Sequence, residues 1–224
     1  MRTKVLLVAA AILAAGLATS LAQTNVYSQN VVGYVNISLP DVATAGGYQI
    51  VGNPLNNSNN TLAVLIPNPV VGTKVFYYSG GSPVVCTFAY DDDDNLNWGT
   101  HANDVLAPGM GFWMKNPAST NQPITFVGEV AQGNRTNAIP SGFSLKASIV
   151  PQSGALDSLL GYVPTVESTK VYQYASGSFV AHLYKYDDDD NPYWQGGAPT
   201  PGVAEGFWIR ENSATEWIRN FTVQ

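Results

Sequence analysis

An acidic segment that occurs twice in this chain constrains its fold more than any other feature. Tyr-Asp-Asp-Asp-Asp-Asn spans residues 90–95 and returns at 186–191, so that Asp187 follows Asp91 by 96 positions. Trp98 and Trp194 follow the two copies at the same offset. One run of aspartates could reflect composition alone. A second run in the same context indicates internal duplication.

The similarity between the two halves extends well beyond the acidic segments. Residues 142–145, 169–194 and 206–208 match residues 47–50, 73–98 and 111–113, respectively. A period of about 95 residues is too long for a solenoid or a propeller blade, so the duplicated unit has the size of a domain. Short runs rich in β-branched and aromatic residues, separated by Gly, Pro and Asn turns, predict strands in both halves.

These patterns predict an all-β fold with two homologous β-sandwich-like, or partly open barrel, units in tandem, each with one short helix. The helical candidates are residues 60–66 and 155–160. The predicted boundaries are a signal peptide at 1–22, a first β unit with an extra N-terminal strand at 23–130, a linker at 131–139 and a second β unit at 140–224.

The predicted signal peptide has a basic start, an apolar run and small residues at Ser20 and Ala22 before the expected cleavage site. The apolar run is short for a membrane-spanning helix, and no second hydrophobic span follows. We therefore expect a secreted or cell-surface protein with no transmembrane segment after cleavage. A formal net charge of −6 and ten basic residues disfavour nucleic acid as a partner, and one cysteine excludes an internal disulfide framework.

The candidate catalytic residues argue against an enzyme. Cys86 and His182 occupy equivalent positions in the two halves, and a nucleophile or base would not change identity between copies that keep its surroundings. His101 has no counterpart in the second half. No serine lies in a nucleophile-elbow context. We expect no catalytic activity.

The acidic runs allow three interpretations. They can be solvated turns, because Asp and Asn favour turn geometry. They can bind Ca²⁺ as a cofactor, through oxygens at alternating positions. The predicted Ca²⁺ ligands are Asp91, Asp93, Asn95, Asp187, Asp189 and Asn191. The twelfth position of each run is alanine, which excludes an EF-hand. A carboxylate pair for glycoside hydrolysis is the third interpretation, although four adjacent equivalent aspartates suit it poorly.

Aromatic residues beside the acidic runs suggest a sugar-stacking site made of Trp98, Trp194 and Tyr193. The alternative is that both tryptophans are buried plugs that hold their loops against the sheets, as large aromatic residues usually are. Trp113 and Trp208 each follow a phenylalanine within a predicted strand. Because neighbouring strand residues point to opposite faces, one ring of each pair is expected in the core.

Two segments resemble known exported proteins. Residues 26–35 resemble the start of secreted proteins of unassigned function from Verrucomicrobia and related bacteria. Residues 47–55, Gly-Tyr-Gln-Ile-Val-Gly-Asn-Pro-Leu, and the later strand 108–113 are similar to the "GWNLxGNP" β modules of exported bacterial surface proteins. In the second half, residues 147–149 depart from the Gly-Asn-Pro turn. The resemblance implies export and an all-β fold, and it implies no activity.

Together these features predict a secreted, non-catalytic structural or interaction protein of the cell envelope or extracellular matrix. Its expected partners are polysaccharides or other envelope proteins. The first alternative is a carbohydrate-binding module that uses aromatic residues beside the acidic loops. The second is an extracellular hydrolase.

Overall fold

The computed structural model describes residues 31–223 and confirms the all-β fold. The predicted signal peptide at 1–22 lies outside the described residues. Among the residues described, no helix is long and apolar enough to cross a membrane. The antiparallel sheets give a sandwich-like architecture in which each half of the chain builds its own layers.

The first half contains a four-stranded sheet backed by a two-stranded layer. Its strands are β1 (Val32–Leu39), β2 (Tyr48–Gly52), β3 (Lys74–Ser79), β4 (Ser82–Thr87), β5 (Ala89–Tyr90), β6 (Leu96–Asn97), β7 (Gly111–Lys115) and β8 (Gln122–Glu129). The sheet has the order β2-β7-β3-β4, and β1 pairs with β8 as the second layer. The small β5–β6 pair joins the two ends of the first acidic loop.

The second half follows a similar plan. Its strands are β9 (Gly133–Ile139), β10 (Gly142–Ala147), β11 (Lys170–Ala175), β12 (Ser178–Tyr186), β13 (Pro192–Gln195), β14 (Gly206–Glu211) and β15 (Thr215–Phe221). The sheet order is β10-β14-β11-β12-β13, and β9 pairs antiparallel with β15. The equivalent strands of the two halves therefore occupy equivalent places in their sheets.

Two details of the predicted architecture are wrong. The segment predicted as a linker, residues 131–139, contains β9, whose register pairs Ile139 with Thr215. Its composition is typical of a linker, because only two positions of this strand are fully buried and most of the others are polar. A helix, α1 (Leu62–Leu65), forms only in the first half. In the second half the carbonyl of Ala155 accepts the N–H groups of both Leu159 and Leu160, so that segment forms turns.

Strand alternation divides the side chains of each large sheet between a core and an opposite face. Phe112 and Phe207 are buried in the cores of the first and second halves, respectively. Their neighbours Trp113 and Trp208 point away from those cores and are partly exposed. The expectation that one ring of each pair enters the core is met.

The two halves meet through closely approaching backbones. The N–H of Gly52 donates to the carbonyl of Ala204 at 3.0 Å, and the N–H of Ala147 donates to that of Gly109 at 3.1 Å. Gly52 and Ala147 are equivalent residues of the two halves, and so are Gly109 and Ala204, because each pair is 95 positions apart. The two hydrogen bonds are therefore equivalent as well. A Cβ atom on Gly206 would lie 2.6 Å from the Ile50 side chain, so this junction requires glycine there.

Candidate functional site

The first acidic loop is a turn organised by its leading aspartate. Asp91 Oδ1 accepts hydrogen bonds from the backbone N–H groups of Asp93 at 3.0 Å and Asn95 at 2.8 Å. Asp187 accepts the same two bonds in the second loop, from the residues Asp189 and Asn191. Both loops are exposed, and their geometry is that of Asx turns. Ca²⁺ binding by these residues remains a prediction.

Because Asp91 and Asp187 accept these hydrogen bonds, we expect the stability of both acidic loops to depend on pH. The backbone N–H of Asn95 is the main cause of a lowered pKa at Asp91, and that of Asn191 has the same effect at Asp187. The folded loop favours the ionised form of each aspartate over the protonated form. The resulting contribution to stability is present above the ordinary pKa of about 3.9. It is lost as pH falls through the lower pKa of the folded state.

An NMR titration of the side-chain carboxyl carbons tests this expectation. Asn97 also donates a side-chain hydrogen bond to Asp91 Oδ2 at 2.7 Å, and the equivalent position in the second loop is Tyr193. Asn97→Ala should raise the pKa of Asp91 and leave that of Asp187 unchanged. An Asp91 that titrates at the ordinary value in the unmodified protein would contradict the described turn.

The tryptophans beside the acidic loops are buried, which corrects the prediction that they stack on sugars. Trp98 is 2% exposed, packs against Phe88 with ring centroids 5.3 Å apart, and donates its indole N–H to the carbonyl of Ile66 at 2.8 Å. Trp194 is 7% exposed and packs against Tyr184. Both rings are therefore core residues that anchor the acidic loops to the sheets, as the alternative to sugar stacking predicts.

Tyr193 differs from the two tryptophans, because its side chain is 43% exposed. It borders a cavity of about 350 Å³ together with Asp157, Ser158 and an edge of Trp194. Of the three residues predicted to stack on sugars, only Tyr193 thus presents its ring to solvent.

A larger group of exposed and half-buried aromatic residues lies elsewhere, on the sides of the two large sheets that point away from the cores. We call this surface the aromatic face. It consists of Tyr48, Phe76, Tyr78, Trp113, Phe143, Tyr172, Tyr174, Phe179 and Trp208. Strand alternation places these rings there, since their chain neighbours, such as Phe112 and Phe207, fill the cores. Phe143 is 58% and Phe179 50% exposed.

Rings of the two halves contact each other across the aromatic face. Tyr78 of the first half packs edge-on against Trp208, with centroids 5.4 Å apart. Tyr174 of the second half packs in the same way against Trp113, at 4.7 Å. Phe179 contacts both Trp113 and Tyr174, and so joins rings of both halves. The aromatic face is therefore one continuous surface built from both halves.

Two neighbouring cavities open on this face. The first, of about 630 Å³, lies between Tyr78, Phe143 and Trp208 and extends to Ser144 and Lys146 at the edge strand β10. The second, of about 490 Å³, is lined by four aromatic residues, Phe143, Tyr172, Phe179 and Trp208. Phe143 and Trp208 line both cavities. Volumes of this size suit small ligands or a few units of a polymer.

Basic residues lie beside the rings in like-charged pairs. Lys74 is paired with Lys115 across β3 and β7, and Lys170 with Arg210 across β11 and β14. These are four of the eight basic residues that follow position 30. Within residues 31–223, no lysine or arginine forms an ion pair with a carboxylate. Like charges directly opposite one another destabilise a sheet.

The aromatic rings offset part of this repulsion. Lys115 Nζ lies 5.1 Å from the ring centroid of Tyr48, and the guanidinium of Arg210 lies 5.9 Å from that of Phe143. The strands that carry these residues contain one acid, Glu211, which points to the core and accepts hydrogen bonds from Tyr162 and Thr169. The aromatic face is thus locally positive on a chain whose net charge is negative.

Cys86 does not have the properties of a nucleophile. Its side chain is fully buried, and burial, with a smaller contribution from the nearby Asp104 charge, raises the pKa of the thiol to about 12. Reactive cysteines have lowered pKa values and partial exposure. His182, at the equivalent position, is also buried, and its Nδ1 lies 2.7 Å from the carbonyl of Gly197. These environments favour structural roles for both residues.

No protein-family model, curated protein or solved structure matches the chain. The resemblance to exported β modules therefore remains a prediction from the residues named above.

Proposed function

We propose that this chain is a secreted, non-catalytic interaction protein of the cell envelope or extracellular matrix that binds anionic polysaccharide on its aromatic face. One observation carries the proposal: partly exposed rings of both halves form a continuous surface bordered by basic residues in like-charged pairs. The predicted signal peptide supports export. The binding surface is not the one predicted beside the acidic loops, because Trp98 and Trp194 are buried.

The aromatic rings supply the affinity for a sugar chain. The apolar face of a pyranose ring stacks on Trp, Tyr or Phe, and desolvation of both surfaces favours the contact. Trp208 and Phe143 border both cavities, so a sugar bound there contacts two rings at once. Trp113 lies in the first half of the protein and contacts Tyr48 and Tyr174. These three residues provide a second set of rings for the same sugar chain.

The basic pairs favour an anionic sugar over a neutral one. Lys74 beside Lys115, and Lys170 beside Arg210, each concentrate two positive charges without a carboxylate partner in residues 31–223. A uronate or sulfate group placed between the members of a pair relieves their repulsion. Arginine can also bind a carboxylate or sulfate through two parallel hydrogen bonds. The aromatic contacts and the charges together support an anionic polysaccharide as the proposed ligand.

A binding panel tests this proposal. Purified protein is titrated with polygalacturonate, alginate and dextran sulfate, with neutral dextran and xylan as controls, by isothermal titration calorimetry. We expect binding to at least one anionic polymer, none to the neutral polymers, and weaker binding as salt concentration rises. Arg210→Gln should reduce the affinity, whereas Arg135→Gln, a basic residue of β9 outside the aromatic face, should not. Equal binding of neutral and anionic polymers, or no binding to any of them, would refute the proposal.

A further inference from the structure

Three side chains that the proposed function does not use come together beneath the loop that follows the first acidic run. Cys86 Sγ, a ring nitrogen of His101 and a carboxylate oxygen of Asp104 all lie within 4.8 Å of one another. Cys86 is fully buried in β4, whereas His101 and Asp104 are half-buried.

The backbone of the loop brings the histidine and the aspartate towards the thiol. His101 ends a short 3-10 helix, Gly99–His101, and the N–H of Asp104 donates to its carbonyl at 3.0 Å. Asp104 Oδ2 lies 2.6 Å from His101 Nδ1 and accepts a hydrogen bond from the Tyr77 hydroxyl at 2.5 Å. Tyr77 therefore orients the carboxylate from a neighbouring strand, as residues around metal ligands commonly do.

The spacing of the three donors is close to that of a tetrahedral metal site. Zinc binds sulfur at about 2.3 Å and nitrogen or oxygen at about 2.0–2.2 Å, so its ligands lie about 3.3–3.7 Å apart. The three donor atoms lie no more than 4.8 Å apart, and His101 Nδ1 lies 2.6 Å from Asp104 Oδ2, so the spacings of the group bracket these distances. Movement of the loop that carries His101 and Asp104 would bring all three donors to these distances, while Cys86 stays in its strand.

We propose that Cys86, His101 and Asp104 bind a divalent transition metal, with Zn²⁺ as the preferred ion. Sulfur and imidazole ligands favour Zn²⁺ over Ca²⁺ or Mg²⁺, which require oxygen ligands. Binding of the ion displaces the proton of the Cys86 thiol to solvent. The resulting thiolate and the Asp104 carboxylate balance the two charges of the ion, so the bound site is neutral next to the core. Three protein ligands leave a fourth position for water on the side of the half-exposed loop.

The second half lacks this set of donors. The positions equivalent to Tyr77, Cys86 and His101 are Gln173, His182 and Gly197, and no carboxylate stands where Asp104 does. There Gln173 instead bonds Glu205 and the backbone of Thr200. The site is thus confined to the first half, and because the chain has only two histidines, the second one provides a matched control.

Titration with Co²⁺ tests the site directly. Purified full-length protein, stripped with EDTA, should bind one equivalent of Co²⁺ and develop a thiolate-to-cobalt charge-transfer band, which Zn²⁺ then removes by displacement. Because the chain has a single cysteine, the band reports Cys86 alone. His101→Gln and Asp104→Asn should each weaken binding about tenfold or more, and His182→Gln should leave it unchanged.

Cys86→Ser should abolish the charge-transfer band, and the two loop variants keep the test decisive if that core variant fails to fold. The proposal is overturned if the unmodified protein shows no charge-transfer band with Co²⁺. It is also overturned if His101→Gln binds the metal as tightly as the unmodified protein does, even where that variant changes the melting temperature.

Discussion

Trp98→Phe is expected to lower the free energy of unfolding by about 2–4 kcal/mol, whereas Trp194→Phe is expected to lower it by about 1 kcal/mol or less. The two residues occupy equivalent positions after the two acidic loops, and both are buried. Their indole N–H groups differ. That of Trp98 donates to the carbonyl of Ile66, while the buried N–H of Trp194 has no hydrogen-bond partner among residues 31–223.

The physical reason lies in what each substitution leaves behind. Loss of the Trp98 indole leaves a small cavity and a buried Ile66 carbonyl without this hydrogen bond, which costs about 1–3 kcal/mol beyond the lost packing. The carbonyl of Leu160, equivalent to Ile66, accepts instead from the indole of Trp217. Trp194→Phe therefore creates a cavity but removes an unpartnered donor, and these two effects offset each other.

Urea unfolding followed by circular dichroism measures both values. The slope of the free energy against urea should be the same for the three proteins, which shows that the variants unfold from a comparable native state. Equal destabilisation at the two positions would contradict the described hydrogen bonding. So would a larger loss at Trp194 than at Trp98.

Trp208→Ala is expected to weaken binding of the anionic polysaccharide about 30-fold, the effect of losing about 2 kcal/mol at a central aromatic contact. Trp208 borders both cavities and contacts Tyr78 of the other half, so its loss removes stacking area and part of the support of a neighbouring ring. Because the ring lies outside both cores, we expect the fold to persist, with a smaller stability loss than at a buried ring.

Tyr193→Ala is the matched control, since Tyr193 is an exposed ring outside the aromatic face. It should bind like the unmodified protein. Trp113→Ala should weaken binding as well, because Trp113 occupies the equivalent position in the first half. If Tyr193→Ala weakens binding and Trp208→Ala does not, the ligand binds beside the second acidic loop and the proposed surface is wrong.

Local patterns in the sequence were sufficient for much of the fold. Strand-forming runs and turn residues predicted the all-β class, and alternation predicted that Phe112 and Phe207 would point away from Trp113 and Trp208. Local patterns do not predict strand β9, because its residues are mostly exposed and polar and its structure depends on pairing with β15, 76 to 88 positions later. Such distant pairing leaves no local pattern.

The candidate sites depended on information that a sequence lacks. Whether Trp98 lies in a core or in solvent depends on how its loop folds back onto the Ile66 carbonyl, and loop geometry has no simple period. The basic pairs depend on strand register, which brings Lys74 and Lys115 together although they are far apart in the sequence. The approach of Cys86, His101 and Asp104 likewise depends on a loop packed against a strand.

The central claim, that ligand binds on the aromatic face and not beside the acidic loops, is tested most directly by the indole N–H resonances of the five tryptophans. An anionic oligosaccharide is titrated into isotopically labelled protein, with each resonance assigned by substitution. The account predicts that the signals of Trp113 and Trp208 shift with saturation while those of Trp98, Trp194 and Trp217, which are buried, stay in place. Shifts at Trp98 or Trp194, with Trp113 and Trp208 unchanged, would contradict it.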